Sequence, residues 1–384
     1  MLKYGDDIDR LAESAIRVEH FVNKELIQAR SEDAAAKVKA WMVVNDFDVA
    51  PLIDTSHCSF IKREDVLALG SQDAVGAAAQ RVPPEQLVAR DVPLSTALGI
   101  LHKRGWFFVS QGGEIEGIVT RHDLARPAVS LYLFARILSL EHGLRRLLGT
   151  YTNTPIPDAP PAEPDSSDPG SLASVVNRVG KVDELRRALG LTVRRAFKDA
   201  TGFIAELRNH LAHGRSILNV EENARSAVER IRGLDALHLQ VSKLVEEREQ
   251  VWRTLAATHI VKRRVTETIW SGPEAVSLPL GSPLHVITAC NPFERVLSAA
   301  ENAKRNESLG ELLAARPLEV IPVLARSPDG RREQGSFAVY GLSRIEACEL
   351  ARQFGQRAVF ELDEQEFRVV TPAGDVRECR PRNS

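Results

Sequence analysis

The sequence is most informative first in what it lacks. Only four of its 384 residues are cysteine, and Cys58, Cys290, Cys348 and Cys379 stand far apart with no Cys-x-x-Cys pair. That excludes a disulfide framework and a zinc ribbon and points to a reducing compartment. Aromatic residues make up 5% of the chain, too few for a long stacking platform for single strands. Charge of one sign is also missing: 50 Lys and Arg against 52 Asp and Glu leave −2, which excludes a polycation held to nucleic acid by bulk charge but leaves room for a local basic patch. No long hydrophobic run occurs. The most apolar stretch, Val129 to Leu140, is interrupted by Arg136 and falls short of the roughly 20 residues that span a bilayer. The opening MLKYGDDIDRLAES is acidic and amphipathic, unlike a signal peptide. The expectation is a cytoplasmic, soluble protein without a membrane partner, of two or three domains at roughly 100–200 residues each.

Proline is concentrated rather than scarce. Six of the 20 fall between Thr150 and Ser171, in TYTNTPIPDAPPAEPDSSDPGS, which carries acidic residues and no Lys or Arg. Such a segment buries too little apolar surface to fold, and helical pattern flanks it on both sides. Residues 1–126 mix short helices and strands. Leu94 to Lys103 reads as a helix closed by Gly105, Trp106 to Ser110 and Ile115 to Thr120 as strands around a Gly-Gly turn, and a further helix begins near His122. An earlier stretch repeats this order, with a helix over Ala34 to Asn45, strands at Val49 to Ile53 and Ser59 to Ile61, and a helix over Arg63 to Ala68. Two copies of one unit predict a pseudo-symmetric pair. Residues 127–257 read as a helical bundle around the Pro-rich loop 150–171, with helices over Ala128 to Leu148, Ser174 to Leu189 and Thr192 to His213, and a last one opening at Asn219-x-x-Glu222. Residues 258–384 alternate strands with two helices, one following Asn291-Pro292 and one at the capping box Ser343-x-x-Glu346. The whole is a multidomain α+β chain.

The first chemical constellation is Gly117-Ile118-Val119-Thr120-Arg121-His122-Asp123, where a strand passes into a helix. Free N–H groups and the dipole at a helix start favour phosphate. Thr120 could bond a phosphate oxygen and Asp123 both ribose hydroxyls. Equally open is a purely structural reading, with Thr120 as the N-cap and Asp123 three residues on.

This pattern, preceded by VPLSTALGILHKRGWFFVSQGGEIEG, resembles the second half of a CBS domain, and the resemblance extends over about residues 28–126. It implies a CBS-domain pair that binds an adenine nucleotide, AMP, ADP or ATP, as a regulatory ligand, with Thr120 on phosphate, Asp123 on ribose and Gly117 at the start of the motif. In the first repeat Ser59-Phe60-Ile61-Lys62-Arg63-Glu64-Asp65 aligns with it. Asp65 is retained, but Lys62 replaces the threonine, so one competent and one doubtful site are expected.

The second constellation is Glu206-Leu207-Arg208-Asn209-His210-Leu211-Ala212-His213-Gly214. The Arg-to-His spacing alone recurs before His142, His238 and His259. Here an Asn follows the Arg, the motif ends a helix within an all-helical segment, and Gly214 lets the chain leave the helical path. It resembles the HEPN domain over about residues 127–255. That resemblance implies metal-independent RNA cleavage in a homodimer, with His213 as general acid/base, Arg208 holding the phosphorane charge and Asn209 orienting phosphate or histidine. Arg194 and Lys198 would neutralise RNA phosphates or form a solvated basic face. Other readings of the residues are a structural bridge from Arg208 to a carboxylate such as Glu141, and His213 as a helix C-cap. A His210-x-x-His213 metal pair has no carboxylate or thiol close in sequence.

The third region, with TACNPFE at Thr288 to Glu294 and Glu301-Asn302-Ala303-Lys304-Arg305-Asn306, resembles a small bacterial domain of unknown function over about residues 260–372. Asn291 as N-cap, Pro292 at the first helical position and Glu294 two residues on from it make a complete helix start, and Asn302 with Asn306 could face a polar pocket. Two functions follow. One is a nucleotide-regulated endoribonuclease acting in stress response or defence, with no required cofactor and no metal. The other is a non-catalytic CBS sensor and dimerisation scaffold whose C-terminal domain carries the output.

Overall fold

The computed structural model describes all residues except 1–3, 55–57, 153–170, 222, 263–267, 281–282, 293–294 and 384. The Pro-rich segment therefore lies almost wholly outside the described residues, as do Glu222 and Glu294. The chain divides into two compact units, Met1–Lys243 and Leu244–Ser384.

The first unit opens with helix α1 (Tyr4–Ala15), followed by two α/β repeats. The first repeat is α2 (Ala35–Val44), β1 (Val49–Leu52), β2 (Ser59–Lys62) and α3 (Arg63–Ala68), and β3 (Gln80–Arg81) is the lead-in to the second. The second is β4 (Leu87–Ala89), α4 (Leu94–Arg104), β5 (Trp106–Gln111), β6 (Glu114–Thr120) and a single 3-10 turn over Arg121–Ala125. Each forms a three-stranded sheet, β1-β2-β3 and β4-β5-β6. These strands are too short to leave their edges open, and each repeat lends a segment to close them. β3, which leads into the second repeat, pairs antiparallel with β2 of the first. Asn23, which leads into the first repeat, pairs antiparallel with Ile118 of the second. The parallel pairing of β4 with β5 is mirrored by Ala29 beside Leu52. Phe60, Val82 and Phe108 are buried together with Trp106 packed on them, the Phe60 and Trp106 rings lying 5.0 Å apart. The two repeats thus share one apolar seam.

The expected helical region follows as α5 (Pro127–Thr152), α6 (Leu172–Val179), α7 (Asp183–Ala188), α8 (Arg194–Thr201), α9 (Ile204–Ala212) and α10 (Ala224–Ala256). Residues of α10 through Lys243 belong to the first unit and the remainder to the second. Two expected helices are each broken in two, at glycines whose side-chain-free backbone makes room for close neighbours. A Cβ on Gly180 would sit 3.3 Å from the Phe197 ring, and one on Gly202 2.9 Å from the Lys198 carbonyl. The apolar stripe survives the break, since Phe197, Ile204, Leu207 and Leu211 are all buried. The last helix opens later than expected. Asn223 Oδ1 accepts the Arg225 and Ser226 N–H groups at 3.1 and 2.8 Å, while Asn219 turns back to the Ser216 N–H at 2.8 Å.

The second unit is an eight-stranded antiparallel sheet flanked by two helices. In chain order it contains β7 (His259–Lys262), β8 (Thr268–Ser271), β9 (Leu284–Ile287), α11 (Ala299–Ala314), β10 (Glu319–Arg326), β11 (Glu333–Tyr340), α12 (Arg344–Gln353), β12 (Val359–Leu362), β13 (Glu366–Val370) and β14 (Val376–Pro381). The strand order is β14-β13-β12-β9-β11-β10-β7-β8. The sheet curls until its two edges meet, with the Gly272 N–H donating to the Arg382 carbonyl at 2.9 Å and Arg380 Nη2 to Ser271 Oγ at 2.7 Å. Inside lie Trp252, Ile260, Trp270, Leu284, Val286, Leu362 and Phe367. Leu309 and Leu313 of α11 and Leu350 and Ala351 of α12 cover a second core. Ser343 and Glu346 cap α12 reciprocally, as expected. The expected start of the other helix is overturned. Asn291 has φ 48°, a left-handed value incompatible with an N-cap, and α11 starts instead behind Ser298, capped with Glu301. Among the described residues no helix is long and apolar enough to cross a membrane.

Candidate functional site: the cap of the second repeat

β6 ends at Thr120, and the chain turns at once into the 3-10 turn Arg121–Ala125. Asp123 is buried. Its Oδ2 accepts the Thr120 N–H at 2.7 Å and the Thr120 hydroxyl at 3.0 Å, while Thr120 Oγ1 accepts the His122 N–H at 3.3 Å. Thr120 and Asp123 are therefore brought together as a reciprocal cap. The second carboxylate oxygen is differently placed: among the described residues Oδ1 accepts from Arg126 Nε alone, at 3.4 Å. One oxygen organises the turn and the other retains accepting capacity. Arg121 reaches back to the end of α4, donating to the Leu101 and His102 carbonyls at 2.9 and 3.1 Å, where a cation offsets the helix dipole.

Gly117 lies three residues upstream, under the exchanged segment. A Cβ there would meet Val22 Cγ2 and stand 2.7 Å from the Asn23 carbonyl. Its glycine is needed for this close backbone approach, an origin invisible without knowing that Asn23 lies over β6.

In the first repeat the same positions are occupied otherwise. Asp65 accepts from Gln80 Nε2 at 2.6 Å, and Lys62 turns to Glu64 at 3.6 Å. Arg63, equivalent to Arg121, pairs with Asp46 at 2.6 Å and with Asp48. Gln80 and Arg126 are the site neighbours that sequence reading missed. The repeat offset held the signal for Gln80, because it follows the first repeat as Asn23 precedes it.

Arg208, Asn209 and His213 do not converge. Arg208 is half-buried, its Nε 3.6 Å from Glu141 Oε2. Glu141 is buried and its other oxygen accepts from Arg145 Nη2 at 2.6 Å. Asn209 and His213 are exposed. His213 closes α9 through its backbone N–H, 3.2 Å from the Asn209 carbonyl and 3.1 Å from that of His210. Its ring makes no hydrogen bond or ion pair among the described residues. Arg194 and Lys198 are exposed on α8.

In the second unit the asparagines of α11 act on the chain itself. Asn306 accepts the Ala289 N–H at 2.8 Å and donates to the Gly335 carbonyl at 2.8 Å. Asn302 accepts the Asn291 N–H at 2.8 Å and donates to Asn291 Oδ1 at 3.0 Å. Arg305 Nε donates to the Ala289 carbonyl at 2.8 Å, and Gln356 to that of Cys290 at 2.9 Å. The Thr-Ala-Cys-Asn loop is thus clamped from both sides by side chains whose polar atoms are already used.

A family model described as "Protein of unknown function (DUF3293)" matches residues 287–359, the part that contains this clamp. No curated protein matches the sequence. Solved structures similar to the N-terminal part include several CBS domain pairs. A CBS domain pair/ACT domain protein from Thermotoga maritima is 17% identical, covering 28% of this chain and 91% of its own, with a TM-score of 0.25. CBSX2 in complex with AMP is 19% identical over 30% and 98%, at 0.27. A CBS domain pair in complex with 5′-methylthioadenosine and S-adenosyl-L-methionine is 19% identical over 28% and 91%, at 0.24.

Proposed function

We propose that the paired repeats of the first unit form a regulatory module that takes an adenine nucleotide at the cap of the second repeat. The supporting observation is the divided carboxylate of Asp123. Thr120 orients it through Oδ2, and Oδ1 keeps capacity for a ribose hydroxyl. In the first repeat Gln80 occupies Asp65 and no hydroxyl stands at Lys62, so one site dominates. Calorimetric titration of the full chain with AMP, ADP and ATP tests this. One main site is expected, weakened at least tenfold by Asp123→Ala and little changed by Asp65→Ala. Two equal sites, or binding indifferent to Asp123, would overturn it.

The helices of the first unit serve this module as a scaffold. The observation favouring that role over RNA cleavage is the engagement of Arg208 with buried Glu141 while His213 faces solvent. Arg208→Ala leaves Glu141 short of a partner and should cost about 1–3 kcal/mol in thermal or urea unfolding, whereas His213→Ala should be nearly neutral. Purified protein with total RNA should show no cleavage under any adenine nucleotide. Cleavage abolished by His213→Ala at unchanged stability would restore the endoribonuclease reading.

A further inference from the structure

We propose that α1 is a protonation-controlled latch, docked at low pH and released as pH rises, that fastens the second repeat to α5 and α10 through a single guanidinium.

The geometry is concentrated on Arg136, the residue that interrupts the most apolar run of the sequence. Its Nη1 lies 2.6 Å from both oxygens of Asp9, its Nη2 2.6 Å from Glu13, and its Nε 2.9 Å from the Tyr132 hydroxyl and 3.3 Å from Asp235. The Tyr132 hydroxyl is 3.4 Å from both Glu13 and Asp235. The remaining Glu13 oxygen accepts from Ser95 at the start of α4. Glu13 therefore joins the second repeat directly to α5. His238 of α10 lies 3.7 Å from Asp9 and 3.0 Å from Ser139 Oγ. The groups facing one another are thus Asp9 and Glu13 from α1, Tyr132, Arg136 and Ser139 from α5, Asp235 and His238 from α10, and Ser95 from α4.

Between Ile8 and Ala15 only Ala12 is fully buried, and Leu11 is 66% exposed. A helix of this length is marginal by itself. Its docking depends on the charge balance at Arg136, where three carboxylates meet one permanent cation. With all three ionised the cluster carries −2, and protonating one carboxylate halves that to −1. Burial first, then Glu13 and Asp9, push the Asp235 carboxyl up to about 6 against the pull of Arg136. A carboxyl raised in the docked state contributes stability that is complete below its ordinary value and is lost as pH rises through the raised one.

Hydrogen exchange of the full-length protein, followed over peptides covering residues 8–15 between pH 5 and 7.5, tests the latch. After correction for the intrinsic base-catalysed rise, wild-type protection should fall by about tenfold for each unit by which Asp235 is held above its ordinary value. Asp235→Asn retains an acceptor for Tyr132 and should keep α1 protected across the range. Glu13→Gln should reduce the step while far-UV circular dichroism shows the rest of the chain folded. Flat wild-type protection, or an unaltered step in Asp235→Asn, would overturn the proposal.

Discussion

The two repeats of the first unit share a backbone plan and spend their side chains differently. In both, an arginine after the last strand returns to the end of the preceding helix. Arg121 donates to the carbonyls of Leu101 and His102, with the turn beyond them made by Gly105 at φ 86°. Arg63 finds Asp46, itself at φ 53°, together with Asp48. In both, an acid stands two residues further on. Asp123 is held by its own turn, whereas Asp65 is taken by Gln80 from the lent strand. The comparison teaches that strand exchange fixes the frame, and that a handful of side chains decide which copy keeps a carboxylate oxygen with accepting capacity.

The comparison can be broken most sharply at the exchanged strands. Gly117→Val forces side-chain atoms into Val22 and the Asn23 carbonyl, and should cost about 3 kcal/mol, at the upper end for overpacking. Ser59→Ala, at the aligned position of the first repeat, removes one hydroxyl from a buried site and should cost about 1 kcal/mol or less. Equal losses in thermal melts would mean that the two exchanges are equally tight. Next comes the arginine pair. Arg121→Ala removes two partly buried bonds to helix carbonyls, at about 1–2 kcal/mol. Arg63→Ala removes pairs to carboxylates that are themselves mostly exposed, and should shift melting less than Arg121→Ala does. The smallest change is a gain. Lys62→Thr restores the hydroxyl of the first repeat and should add weak second-site binding in calorimetry, within about tenfold of detection and with melting unchanged. A full second site would show that Gln80 yields Asp65 readily.

Local pattern was readable wherever local chemistry decides the outcome. The first repeat was bounded to within a residue or two, and Ser343 with Glu346 marked α12 from four letters. Helical periodicity did not reveal the breaks at Gly180 and Gly202, because those depend on what packs against each glycine. Asn291-Pro292 looked like a helix start, yet Asn291 adopts a left-handed turn because Asn302 holds its N–H and its own Oδ1 accepts the Leu297 N–H at 3.0 Å. The strands β7 and β8 were missed, since their pairing depends on a sheet assembled from distant segments. At the candidate site, Thr120 and Asp123 were legible as a cap and a ligand pair alike. The Glu141 bridge to Arg208 stood among the open readings, and the structure adds that Glu141 is buried.

The lent strand has a consequence in time. Asn23 and Ile118 bond each other across about 95 residues of chain, and Val18 and Glu19 bond the carbonyls of Val92 and Arg90. At about 5–20 residues per second of synthesis, the segment from Val18 to Asn23 waits roughly 5–20 s on the ribosome before its partners emerge. During that interval Val18, Phe21 and Val22 lack their final cover. Nascent chains should therefore become protease-resistant in one late step, once β6 has cleared the exit tunnel, rather than repeat by repeat.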